Sequence, residues 1–78
     1  MTPPTRIDLR GLRCPLPALK TRKALSRLQP GERIAVECTD PLAVIDIPHL
    51  IATTGDVLED TGTADGVVTF VIRKAEAA

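Results

Sequence analysis

Arg6-Ile7-Asp8-Leu9-Arg10 alternates charged and aliphatic residues without a break. A period of two predicts a strand, with Ile7 and Leu9 facing a core and the charges facing water. Gly11 ends it. From Pro15 to about Leu28 the period lengthens to that of a helix. Ala18, Leu25 and Leu28 share one stripe with Thr21 between them, and Leu16 and Leu19 widen its start. Lys20, Lys23 and Arg27 form an opposite basic stripe, and this helix carries no acidic residue. Pro15 suits a first helical position, where φ is preset and the missing N–H has no partner to lose. Gln29-Pro30-Gly31-Glu32 stops the helix and turns the chain.

Arg33 to Cys38 alternates again and predicts a second strand. Ile34, Val36 and Cys38 point one way, and Ala35 and Glu37 the other. Asp40 as N-cap and Pro41 as first residue open a second helix, whose apolar side is expected from Leu42, Ile45 and Leu50. Pro48 removes the hydrogen bond to the Val44 carbonyl, so a kink or two short pieces are expected before Gly55 closes the helix. Asp56–Asp60 reads as a short third strand and Thr61–Gly66 as a turn. Val67–Arg73 reads as a fourth strand pairing back as a hairpin.

The order βαβαββ, with a right-handed crossover making the first two strands parallel, predicts an α/β two-layer sandwich. Its sheet is mixed and four-stranded, with both helices packed on one face. The 78 residues suffice for one domain, 1–78, with flexible tails expected at 1–5 and 75–78. Val67 and Val71 on the outer sheet face leave a weak dimer open beside a monomer.

Composition narrows the function classes. Phe70 is the sole aromatic residue, so stacking on nucleic-acid bases lacks its platform. No apolar run approaches a membrane span, and residues 1–6 lack the apolar core of a secretory signal. Two cysteines do not make a disulfide framework, so a reducing, cytoplasmic location is expected. Net charge is zero, but residues 1–33 carry net +6 and residues 34–78 net −6. The basic third invites an acidic partner or anionic ligand; the equal alternative is a solvated face with opposite charges nearby in space.

Cys14 sits inside that basic third, between the first strand and the first helix. A free thiol has a pKa of about 8.5 and is a weak nucleophile at neutral pH. The helix N-terminus, Arg10 and Arg13 are expected to favour thiolate. Pro15 and Pro17 stiffen the turn and lack N–H groups, which leaves Leu16 and Ala18 as nearby donors for the sulfur. Gly11 is expected to adopt an unusual backbone conformation. No acid, base or substrate pocket is expected beside the thiol, and neither a metal nor a cofactor is expected. The competing reading is a buried cap cysteine.

Cys38 reads as core; its alternative is a resolving cysteine for Cys14. His49 reads as a helix-surface residue. Cys14, Cys38 and His49 match no zinc spacing.

Asp8, Gly11, Cys14-Pro15-x-Pro17, Pro30-Gly31, Asp40-Pro41 and Asp46-Ile47-Pro48 occur in an order that resembles the TusA/SirA-like sulfur carrier proteins, from about residue 7 to Lys74. The resemblance implies a βαβαββ sandwich and a cytoplasmic protein without bound metal. It also implies that Cys14 accepts sulfane sulfur as a persulfide from a cysteine desulfurase or rhodanese-type donor. An acceptor protein would follow, in tRNA thiolation, molybdenum cofactor synthesis or sulfur oxidation. No independent small-molecule turnover, direct nucleic-acid contact or membrane contact is expected. Gly11, Arg13, Pro15 and Pro17 would support the thiol, and partners would dock on Arg10, Lys20, Lys23 and Arg27. His49, Leu50 and Ile51 replace aromatic and sulfur residues common in the family near Pro48, which bears on partner identity. Two other readings stand beside it: an adaptor or regulator using the basic helix, and a thiol redox sensor.

Overall fold

A computed structural model describes residues 3–76. Six elements follow one another: β1 (Thr5–Leu9), α1 (Leu16–Ser26), β2 (Arg33–Cys38), α2 (Ala43–Thr54), β3 (Val57–Ala64) and β4 (Val67–Arg73). The sheet order is β1-β2-β4-β3. β1 and β2 are parallel, whereas β4 runs antiparallel to both β2 and β3. The expected mixed sheet and two-layer sandwich are therefore present.

The core lies between the sheet and the helices. Ile34, Val36 and Cys38 of β2 stand opposite Ile72, Phe70 and Val68 of β4. Over them pack Leu25 of α1 and Ala43, Ile47 and Ile51 of α2. Apart from Val68, which is half-buried, these side chains are almost wholly removed from water. That burial is the main favourable term in a domain this small.

The helices depart from the expected faces. α1 buries Pro17, Thr21 and Leu25, while Leu16 and Leu19 are exposed and do not widen the core stripe. α2 buries Ala43, Ile47 and Ile51, while Leu42 and Ile45 face water and Leu50 is half-buried. In both, residues four apart fall on one face and define the stripe. α2 is one helix across Pro48, not two pieces, because its buried stripe runs on both sides of the proline. Gly55 closes it with a left-handed φ of 79° and donates its N–H to the Ile51 carbonyl.

The hairpin is also longer than expected. β3 continues through Thr61, Gly62 and Thr63, and the turn is only Asp65-Gly66, with φ of 53° and 76°. Positive φ at both central residues matches the twist of paired strands, and Asp-Gly supplies it at low cost. An irregularity between Leu58 and Asp60 sets Glu59 out of register. Of the expected tails, residues 1, 2, 77 and 78 lie outside the described residues. Thr5 pairs with Ile34 within β1, and the Ala75 N–H donates to Asp56 Oδ1 at 2.9 Å.

Candidate functional site

β1 and β2 are parallel, so the turns leading into α1 and α2 emerge at the same end of the sheet. The carboxyl ends of parallel strands are where α/β folds gather their chemistry. Here the two turns enclose a cleft of about 570 Å³ lined by Gly11, Leu12, Arg13, Cys14, Thr39, Asp40, Pro41 and Leu42.

The first turn is built on Gly11, whose φ of 82° is the unusual conformation expected of it. Its N–H donates to Thr39 Oγ1 at 2.9 Å, tying the two turns together. The Cys14 N–H donates to Asp40 Oδ2, a second tie. Asp40 Oδ1 also accepts from the Leu42 N–H at 3.1 Å, so one carboxylate turns the chain toward α2 and anchors the cysteine backbone; Leu42, not Asp40, is the N-cap, and the helix begins at Ala43 rather than Pro41. The Cys14–Pro15 peptide bond is cis. Pro15 precedes α1 rather than opening it, and its carbonyl accepts from the Leu19 N–H at 3.1 Å. Pro17 is buried in the first turn of α1 and seats that end of the helix on the core.

Cys14 is exposed, which excludes the buried-cap reading. Its electrostatic setting differs from the expected one. Sγ donates to Asp46 Oδ2 at 2.9 Å. That hydrogen bond holds the neutral thiol, and together with partial desolvation and the negative charges of Asp46 and Asp40 it pushes the Cys14 pKa up. Two of the groups expected to favour thiolate are engaged elsewhere. Arg10 turns back onto Asp8, with contacts of 2.8 and 3.0 Å. The Leu16 N–H donates to the Arg13 carbonyl, not to sulfur. The expectation of no acid, base or pocket beside the thiol is likewise overturned, by Asp46 and by the cleft itself. The missed signal was legible in principle: Asp46 is the one charged residue between Asp40 and Asp56.

Cys38 lies at the core end of β2 and is fully buried, and burial raises its thiol pKa. His49 is exposed on α2. No grouping of three or more His, Cys, Asp or Glu residues suited to a metal ion occurs among the described residues. No helix among them is long and apolar enough to cross a membrane.

The remaining expected site residues form a separate feature. Lys20, Lys23 and Arg27 line a groove of about 380 Å³ between α1 and β1, with Ile7, Asp8, Leu9, Leu12 and Ala24. They flank the edge strand and do not point directly away from the sheet. The charge asymmetry divides along the same boundary. Arg6 pairs with Glu37, Arg33 and Arg73 with Glu59, and Lys74 with Asp56. Among the described residues, no ion pair engages Arg13, Lys20, Arg22, Lys23 or Arg27.

The match to known proteins extends over this whole arrangement. The model of the family Sulfurtransferase TusA covers residues 5–74. The chain belongs to that family. The sulfur carrier protein TusA of Allochromatium vinosum is 35% identical over 69 residues, covering 88% of this chain and 91% of that protein. A Neisseria meningitidis serogroup A protein, whose name places it among the sulfur carriers, is 42% identical over 67 residues, covering 86% of this chain and 90% of its own. A crystal structure of a SirA-like protein from Desulfitobacterium hafniense superposes with a TM-score of 0.80 at 25% identity, covering 92% of this chain and 99% of that one. The role is thus that of a sulfur carrier, working between donor and acceptor proteins.

Proposed function

We propose that Cys14 is the carrier atom's seat, alternating between thiol and persulfide. The observation that carries this reading is the pairing of an exposed Cys14 in the cleft with a Cys38 sealed in the core. One thiol alone is accessible, so transfer uses a single sulfur.

In the loading step, Cys14 sulfur attacks the outer sulfur of a donor persulfide. A new S–S bond forms on Cys14, the donor S–S bond breaks, and the donor leaves as a thiolate. The zero-valent sulfur changes hands with no net oxidation. The proton leaving Cys14 has an acceptor in place, the Asp46 carboxylate at 2.9 Å, and returns to the donor thiolate. Relay is the same exchange with Cys14 as donor. Asp46 and Asp40 keep resting Cys14 as thiol, which suits a carrier that must resist idle oxidation.

The donor is a cysteine desulfurase or rhodanese-type protein. The acceptor belongs to tRNA thiolation, molybdenum cofactor synthesis or sulfur oxidation, in the cytoplasm. Leu16, Leu19, Leu42, Val44 and Ile45 are exposed in the first turns of the two helices, at the cysteine end. Apolar side chains left in water around a reactive group suit transient docking of such partners. Arg13 within the cleft and Lys20, Lys23 and Arg27 beside it supply the charged part of the docking face; Arg10, held by Asp8, supplies less. A thiol sensor working through an internal disulfide is disfavoured by the burial of Cys38. The basic-helix adaptor is disfavoured as the whole function by the cleft built around Cys14.

The test is sulfur loading. Incubation with a cysteine desulfurase and cysteine, followed by intact-mass measurement, adds one sulfur atom to the wild type and to Cys38→Ala. Cys14→Ser stays folded and gains none. Loading that survives in Cys14→Ser overturns the assignment.

A further inference from the structure

β1 is an edge strand, bonded to β2 on one side only. Alternate backbone N–H and C=O groups therefore point away from the sheet and are open to another strand. Beside them lies the groove of about 380 Å³. Its floor is apolar, formed by Ile7, Leu9, Leu12 and Ala24, and its far wall carries Lys20, Lys23 and Arg27. The one acid in the lining, Asp8, is neutralised by its two-point contact with Arg10.

We propose that this groove takes an extended acidic segment of a protein partner, added to the sheet as a fifth strand against β1. The proposal rests on the reading of the chain as a carrier between protein partners, and it names how one of them is held. Strand addition obtains affinity from main-chain hydrogen bonds and specificity from alternate side chains. Lys20 to Arg27 spans about 10 Å along α1. Same-face residues of a strand are about 6.7 Å apart, so two or three alternate acids match the three cations. Long lysine stems can cover an apolar floor of this kind and leave their charged ends for carboxylates.

A second copy of this chain is a poorer occupant. Its other edge strand, β3, does carry acids in and near it. However, Glu59 is already shared by Arg33 and Arg73, and Asp56 is taken by Lys74, Thr54 and Ala75, which leaves Asp60 as the one acid of the strand for three cations. The groove also adjoins the thiol, since Leu12 lines both it and the Cys14 cleft. A segment bound there tethers its protein over Cys14 and raises the local concentration of the reacting group without touching the sulfur.

The probe is a capped peptide of alternating valine and glutamate, about eight residues long. It is titrated into the full chain carrying Cys14→Ser, so that binding is read independently of sulfur loading. Expected are amide shift changes in Ile7 and Leu9 as well as α1, with affinity falling as salt rises. The triple variant Lys20→Gln, Lys23→Gln, Arg27→Gln weakens binding about tenfold or more. The same peptide N-methylated at alternate positions binds weakly to the unaltered groove. Shifts confined to α1, equal binding of the N-methylated peptide, or no binding at low salt each overturn the proposal. So does self-association of the chain that the peptide fails to displace. None of those outcomes bears on whether Cys14 accepts sulfur.

Discussion

Thr21 is the residue on which the packing account can be tested most sharply. It sits on the buried stripe of α1 between Pro17 and Leu25, with no exposed surface. Its Oγ1 has no hydrogen-bond partner. A buried hydroxyl left unpaired costs roughly 1–3 kcal/mol relative to its hydrated state. Thr21→Val replaces that hydroxyl with a methyl of similar size and the same branching, and the two residues have nearly equal helix propensity. The variant is therefore expected to be more stable by about 1–2 kcal/mol. In a domain of this size that raises Tm by roughly 4–8 °C per kcal/mol. Thr21→Ser keeps the hydroxyl and loses a buried methyl, so it is destabilised by about 1 kcal/mol. Urea titration at constant m-value and calorimetry read both. A Thr21→Val protein no more stable than the wild type would refute the reasoning. It would mean that Oγ1 bonds a backbone carbonyl one turn back, the usual refuge of a helical threonine. Sulfur loading stays unchanged in both variants, because Thr21 lies in the core and not in the Cys14 cleft.

Three further outcomes follow from the site and its surroundings. Asp46→Asn removes the negative charge facing sulfur, so the Cys14 pKa falls and the pH profile of iodoacetamide alkylation moves to lower pH; a profile that stays in place or moves up contradicts the Asp46 contact. Asp8, held by Arg10, has its pKa lowered from 3.8 to about 2. Its folded pKa lies below its unfolded one, so its contribution to stability is complete above about pH 4 and is lost as pH falls through about 2. Carboxyl carbon NMR titration of the wild type and of Arg10→Gln checks this, the variant returning Asp8 toward its ordinary range. Ile45 is 68% exposed, so Ile45→Ser changes stability by no more than about 0.5 kcal/mol yet slows sulfur transfer from a protein donor. Equal transfer rates would remove Ile45 from the docking face.

The strands were legible where two independent signals agreed. β2 is found at Arg33–Cys38 as read, because alternation is bracketed by Pro30-Gly31 on one side and Asp40-Pro41 on the other. The hairpin was drawn too short because Thr61, Gly62 and Thr63 look like turn residues. What governs them is the two-residue Asp65-Gly66 turn, which sets the register and pulls all three into the ladder. Local composition gave way to turn geometry.

The helix faces and the thiol's surroundings were obscured by the same ambiguity. From Leu42 to Ile51, Asp46, Pro48 and His49 are the only residues that are not aliphatic, so several stripes fit the helical period. The stripe chosen is Ala43, Ile47 and Ile51, because Ala43 is small enough to lie close against the core. That choice rotates Leu42 and Ile45 into water and Asp46 onto Cys14. A side chain's neighbours across two turns depend on helix rotation, and rotation is settled by packing over the sheet. Cys14 itself was legible because its position between strand and helix is a local property. Its protonation was not, because the carboxylate that governs it stands 32 residues away and arrives only with the fold. The pairing of a locally placed thiol with a distantly supplied acid makes the site's reactivity depend on the folded α2. Unfolding the domain in urea is therefore expected to move the Cys14 alkylation profile to lower pH, toward that of a free thiol, and a profile that does not move contradicts the Asp46 contact.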